Sequence, residues 1–187
     1  MNTALALVPA PVRAIGLLLA AVLLEWARVL ELRTTPWPAL TLLLGGLALC
    51  LLSLGWSPDE LGLGRSRLPE RLLGGLALAG ILLLPAAVRW AGGPALAPPF
   101  ALAAVVVSVG EEVAFRGAAF VALERAFGPA VAVVGTTAGW TAAHVLSHPL
   151  QFLPAVAAAG LLLGAWRWAL RDLVGPIIGH VIADLAL

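Results

Sequence analysis

A carboxylate pair in the middle of an apolar stretch is the feature that most constrains this chain. Glu111 and Glu112 follow the run Ala101–Val109 and precede Val113, Ala114 and Phe115, so neither acid can be assigned to a helix end. Around them, 61% of the 187 residues are hydrophobic and 11% are charged, against about 25% charged in an ordinary soluble domain. Apolar runs near the roughly 20 residues needed to cross a bilayer recur along the chain, separated by Pro, Gly and Arg clusters. A central acid costs about 2.5–3.5 kcal/mol to insert into a membrane, and two adjacent acids also repel. Two such residues are expensive unless they have work to do.

The expected architecture is therefore all-α: a polytopic integral membrane bundle of about seven helices forming a single domain over residues 1–187. The expected segments run from about Ile15 to Leu32, Trp37 to Leu54, Leu72 to Trp90, Phe100 to Phe127, the residues after Pro129 to about Ser147, Phe152 to Leu170, and Pro176 to Leu187. Thr34-Thr35-Pro36 breaks the first hairpin, and Gly92-Gly93-Pro94 with Pro98-Pro99 forms a linker. Residues 57–71 hold Pro58, Asp59, Glu60, Arg65, Arg67 and Glu70 and form the one polar loop. Glu25 and Arg28 near the end of the first segment argue for a retained helix rather than a cleaved signal peptide. Arg13, Arg65, Arg67, Arg71, Arg125, Arg167 and Arg171 fall on one side, against Arg28, Arg33 and Arg89 on the other, which places the N-terminus inside.

A net charge of +1 without a basic stripe excludes a nucleic-acid partner. Cys50, the single cysteine, lies in an apolar run; it forms no intrachain disulfide and reads as packing. Every basic residue is Arg, a bias associated with GC-rich bacterial genomes, so the bacterial inner membrane is the expected location.

Three polar clusters carry the chemistry. Arg116 follows Glu112 by four residues, the favourable acid-then-base order for a helical pair, while Glu111 is turned about 100° away and is free to serve as a base. Trp140 and His144 share one face at the same spacing, as do His180 and Asp184. His148, four residues beyond His144, precedes Pro149 and reads as a loop residue. Glu25, Glu31, Glu124 and Asp172 fit interfacial positions beside snorkelling arginines and read as structural.

In this order, Glu-Glu-x-x-x-Arg at 111–116, aromatic-x-x-x-His at 140–144 and His-x-x-x-Asp at 180–184 resemble the CPBP family of intramembrane proteases, the CAAX prenyl endopeptidase and Abi type. Phe115-Arg116-Gly117, the Gly-Pro-Ile-Ile-Gly-His approach to His180 and the Leu61-Gly62-Leu63 loop also look like that family. The resemblance makes residues 100–187 the catalytic core. It implies an endopeptidase acting on a membrane-associated peptide or protein, in which Glu111 and His144 activate water, Glu112 and Arg116 hold the geometry, and His180 and Asp184 face the oxyanion. Asp184 stands where the family commonly has Asn, and an ionised carboxylate cannot donate to an oxyanion. It must be protonated, orient His180 or bind metal. Family members are often described as metalloproteases, and Glu111, His144, His180 and Asp184 are chemically able to hold zinc, although there is no HExxH helix. A proton-coupled transporter is the alternative from another class, since intramembrane Glu, His and Asp also build proton relays. A non-catalytic scaffold or bacteriocin immunity protein is a second. A serine protease lacks a serine matched to a histidine, and an aspartyl one lacks a second intramembrane aspartate.

Overall fold

Proline sets most of the helix starts. It has no N–H to leave unpaired in a first turn, and its fixed φ suits a helix entry. Proline occupies the first or second position of α1 (Ala10–Leu32), α2 (Pro38–Leu51), the single turn α3 (Pro58–Leu61), α4 (Leu68–Ala87), α5 (Pro98–Glu111), α7 (Pro129–Ala143) and α8 (Leu153–Leu170). Between and after these lie α6 (Phe120–Phe127) and α9 (Val174–Ala186). The computed structural model describes residues 8–87 and 96–186 and contains only helices, turns and loops within them.

Each of the seven expected segments contains a helix, while Trp37 and Leu52–Leu54 of the second fall outside α2. The expected end of the third near Trp90, the Gly92-Gly93-Pro94 linker, Arg89 and the terminal Leu187 lie outside the described residues. Residues 98–127 and 150–170 are long and apolar enough to cross a bilayer, while α2 and α9 are apolar but shorter. Leu19, Leu23, Leu44 and Leu84 are each more than half exposed, whereas Glu25, Glu111, Glu112, Arg116, Arg167 and Asp172 are buried. Charge inside and leucine outside is the reverse of a water-soluble fold.

The expectation of an ordinary α-helix through the glutamate pair is corrected. Residues 98–127 form one continuous rod, but its centre, Glu112–Ala119, is π-helical. Such wide turns are rare and concentrate at functional sites. Here the i→i+5 pattern leaves a backbone carbonyl to be met from outside, and Arg167 on α8 meets it: its Nε donates to Arg116 O across 3.1 Å. The same guanidinium donates through Nη2 to Glu60 O at 2.8 Å. Arg167 thereby ties the π-turn to the polar loop.

That loop is well ordered by its own chemistry. Ser57 and Glu60 form a reciprocal capping box at α3. The Ser57 N–H and, next, Arg125 bonding to the Glu60 carboxylate hold it down to about 2. Gly62 must be glycine on two counts: its φ is +80°, and a Cβ would lie 2.9 Å from Arg171 O. Its own carbonyl accepts from Leu173 N at 3.1 Å, and Leu61 packs on Val113 and Leu173. The Leu-Gly-Leu loop therefore braces the π-turn against the α8–α9 corner.

A second glycine pair sets the approach of α2 to α5. A Cβ on Gly46 would come within 2.7 Å of Val106 O, and one on Gly110 within 3.0 Å of the Gly46 carbonyl carbon. Backbone meets backbone there, one residue before Glu111, as close small-residue crossings in membranes allow. Gly46→Ala must push the two helices apart. Its unfolding free energy in detergent should fall by about 1–3 kcal/mol, the usual cost of overpacking, while Gly80→Ala, where a Cβ meets nothing within 4 Å, should match the parent protein. Thermal melts of the two variants give the comparison.

Candidate active site

Five elements bring the polar residues together: the C-terminal end of α5, the π-turn that continues it, the C-terminal end of α7, α9 and the C-terminal half of α1. Beneath them lies an apolar floor in which Ala114, Phe115, Trp140 and Ala143 pack with Ala21, Val22, Leu49 and Val156.

Glu111 projects toward α7. Its Oε2 accepts from Trp140 Nε1 at 2.7 Å and lies 3.9 Å from His144 Nε2. His144 occupies the C-cap of α7, where the chain passes into a single 3-10 turn, and its Nδ1 lies 2.8 Å from Trp140 O. A carbonyl oxygen can only accept, so Nδ1 carries a hydrogen and the ring turns Nε2 toward Glu111. A carboxylate oxygen and an imidazole nitrogen thus face each other across 3.9 Å, with Glu111 buried and His144 partly open. Trp140 holds both ends of the pair, one through its indole N–H and the other through its backbone carbonyl.

Glu112 points the other way. Its Oε1 accepts from Arg116 Nη1 and from His180 Nδ1, both at 2.9 Å. Glu112 and Arg116 are fully buried, and the Arg116 guanidinium stacks over the Trp140 ring with its carbon 4.2 Å from the ring centre. A buried ion pair survives when further contacts offset its desolvation. His180 Nδ1 and the aromatic ring are such contacts.

On α9, the second nitrogen of His180 lies 3.5 Å from Asp184 Oδ2, across the i, i+4 spacing expected from the sequence. Asp184 is held from the side by Ser108 of α5, whose hydroxyl lies 2.7 Å from Oδ2 and 2.8 Å from Ala104 O. The His180 and His144 rings both meet Trp140 edge-on, with centres 5.6 and 4.7 Å from it. All six residues singled out by the sequence therefore meet around Trp140.

The four side chains considered as zinc ligands form two pairs, Glu111 with His144 and His180 with Asp184. Among the described residues no group of three or more His, Cys, Asp or Glu side chains is arranged to hold a metal ion. A structural or catalytic zinc takes at least three protein ligands converging at about 2.0–2.3 Å, and these four side chains stand as two separate pairs. The arrangement does not fit zinc.

Three residues of the site were not anticipated. Ser108, fully buried, gave no signal, because a lone serine in an apolar helix usually bonds its own backbone. Glu25 and Arg28 had been assigned to the interface; instead Glu25 is 2% exposed, and Arg28 bonds it and reaches Glu111 Oε1 at 3.4 Å. Their i, i+3 spacing in an otherwise apolar helix was the available signal. His148, expected in a loop, lies in the turn after the 3-10 segment, stacked on Phe152 with ring centres 5.2 Å apart.

An all-helical, largely apolar chain with buried carboxylates, histidines and an arginine meeting on one tryptophan has the makings of a hydrolase that works inside a membrane. The family described as Type II CAAX prenyl endopeptidase, Rce1-like, matches residues 93–186, half of the chain and the half that carries all three motifs. The chain belongs to that family. The family is membrane-embedded, and it supports a CAAX-type protease acting on peptide or protein substrates. Neither the curated proteins nor the solved structures include one that matches.

Proposed function

We propose that this protein is an intramembrane endopeptidase that hydrolyses a peptide bond in a membrane-associated peptide or protein, with water activated by Glu111 and His144. The observation that carries the proposal is the facing pair itself: a carboxylate oxygen and the imidazole Nε2 3.9 Å apart, each fixed from behind by Trp140. The gap is too long for a direct hydrogen bond and suits one water molecule that gives a hydrogen to each acceptor.

The chemistry then runs as follows. The water oxygen attacks the scissile carbonyl as one of its protons passes to the Glu111–His144 pair. A tetrahedral oxyanion forms on the side of His180, whose Nε2–H is the donor nearest Asp184 and can turn to the new charge. The C–N bond breaks as the stored proton moves to the leaving nitrogen, giving an acid and an amine and restoring the pair. Glu112 and Arg116 act through His180, since the Glu112 bond fixes the hydrogen on Nδ1 and the ring plane. Asp184, anchored by Ser108, serves as an orienter of His180 rather than as a donor to the oxyanion. The same reading takes the seven helices as membrane crossings, with the N-terminus on the cytoplasmic side of a bacterial inner membrane.

A proton-coupled transporter would use the same residue types and predicts activity without peptide cleavage. The test is cleavage of a peptide library by the detergent-solubilised protein, with His144→Ala and a chelator arm alongside. Wild-type cleavage should fall by about 10²–10⁴-fold in His144→Ala, the range for losing a general base, and survive the chelator. Cleavage untouched by His144→Ala would sink the mechanism, and cleavage abolished by the chelator and restored by zinc would put a metal where this reading has none.

A further inference from the structure

The family match begins at residue 93, yet the nearest guanidinium to the Glu111 carboxylate comes from α1. Glu25 and Arg28 stand on one face of that helix, three residues apart. Arg28 Nη2 is hydrogen-bonded to Glu25 Oε2 and lies 3.4 Å from Glu111 Oε1. Glu111 thus has its two oxygens differently engaged: Oε2 faces Trp140 and His144, and Oε1 faces Arg28.

The surroundings look built for this contact. Arg28 crosses α2 at Gly45, where a Cβ would lie 2.8 Å from Arg28 Cγ, so any side chain there would displace the arginine. α1 is keyed to the end of α7 by Trp26 Nε1 donating to Ala142 O at 2.9 Å and by Arg33 Nη2 donating to Leu146 O at 3.1 Å. Those bonds fix α1 in register with the segment that carries His144. The Arg28 side chain is 11% exposed and Glu25 2%, so water screens this charge little.

The charges around Glu111 give Arg28 its weight. Facing or flanking the carboxylate are Glu25 and Arg28 from α1, His144 from α7, Glu112 and Arg116 from its own helix, and His180 and Asp184 from α9; α2 contributes glycine. Of the two arginines, Arg116 is committed to Glu112. Arg28 pairs with Glu25 through Nε and Nη2 and is the one of the two whose guanidinium also reaches Glu111; an isolated carboxylate in a poorly solvated interior takes up a proton rather than stay charged.

We propose that Arg28, docked by Glu25, is a positioning residue of the active site: it keeps the Glu111 carboxylate an anion and turns its other oxygen toward His144. This rests on the protease reading for its consequence in catalysis but not for its electrostatic content, and the experiment separates the two. The measurements are peptide cleavage against pH and an infrared pH titration of the carboxyl band that disappears in Glu111→Gln. They are made on wild type, Arg28→Gln, Arg28→Lys and the double variant Glu25→Gln/Arg28→Gln, which loses one acid with the base and so keeps the buried charge in balance. In Arg28→Gln and in the double variant, kcat should fall by about 10–100-fold, the scale for a misplaced catalytic group, with KM little changed. The acidic limb of the rate profile should move to higher pH, and Arg28→Lys should recover part of the loss. The infrared band of protonated Glu111 should appear at neutral pH in both variants and not in wild type. Glu111 still ionised at neutral pH in folded Arg28→Gln or in the double variant would overturn the proposal. So would rates equal to wild type in either. If wild type cuts no peptide, the protease reading fails while the infrared titration still decides the role of Arg28.

Discussion

Glu111→Gln should abolish most turnover without unfolding the protein. Glutamine has nearly the same shape, its amide oxygen can still accept from Trp140 Nε1, and the 2.7 Å bond that seats the side chain is kept. What is lost is the capacity to take a proton from water and the negative charge opposite His144. Removing a general base costs about 10²–10⁴-fold in rate, and the expected drop in kcat lies toward the upper end because His144 then faces an amide in place of an anion. The thermal midpoint should stay near the parent's, since Arg28 keeps its pairing with Glu25 when the Glu111 charge is removed. Single-turnover cleavage together with a melt in the same detergent gives both numbers. A variant that still cleaves at the parent rate would remove Glu111 from the mechanism, and one that loses activity only in step with its melting would make it a structural residue. The non-catalytic scaffold reading predicts a third pattern, with partner binding intact and no cleavage by either protein.

The sequence pointed to the candidate site through cost. Glu111, Glu112, Arg116, His144, His180 and Asp184 stood out because each is expensive in an apolar helix, and the structure brings all six around Trp140. Glu25 and Arg28 escaped for the complementary reason: toward the end of a helix a long charged side chain can snorkel at little cost, so nothing in one dimension marks the pair as turning inward. Only the packing of α1 on Gly45 and on the end of α7 does so. The π-turn was hidden as well. Glu112 and Arg116 are four apart and do pair at 2.9 Å, as an α-helix would predict, because the widened turn is paid for elsewhere, at Arg116 O and Arg167. Zinc could not be decided from residue types, since the same four side chains make either one converging set or two pairs. Several helix starts, by contrast, were legible, because proline takes the first or second position in seven of the nine α-helices among the described residues, although the expected starts at Ile15 and Leu72 fall inside α1 and α4.

Arg116→Met should be among the most destabilising single substitutions in this chain, and a second change should largely rescue it. Methionine fills much of the aliphatic volume and keeps a contact with Trp140, but it leaves the Glu112 carboxylate, fully buried, with His180 as its one hydrogen-bonding partner. Breaking a buried ion pair by removing one member costs about 3–5 kcal/mol, because a charge is stranded. In Arg116→Met/Glu112→Gln the stranded charge is gone, while the amide oxygen can still accept from His180 Nδ1. The double variant should therefore recover about 1–3 kcal/mol relative to Arg116→Met, the size of coupling seen between contacting residues. Unfolding of the four corners of this cycle in one detergent supplies the coupling energy, and additive losses would mean that Glu112 and Arg116 do not act as a pair. Activity should separate from stability here. If Glu112 serves by fixing the hydrogen and plane of His180, the refolded double variant should retain a measurable part of kcat, because the His180 bond survives. Loss of all turnover in a stable double variant would instead assign the anionic charge of Glu112 itself to the reaction, as the counter-charge that keeps a hydrogen on both nitrogens of His180.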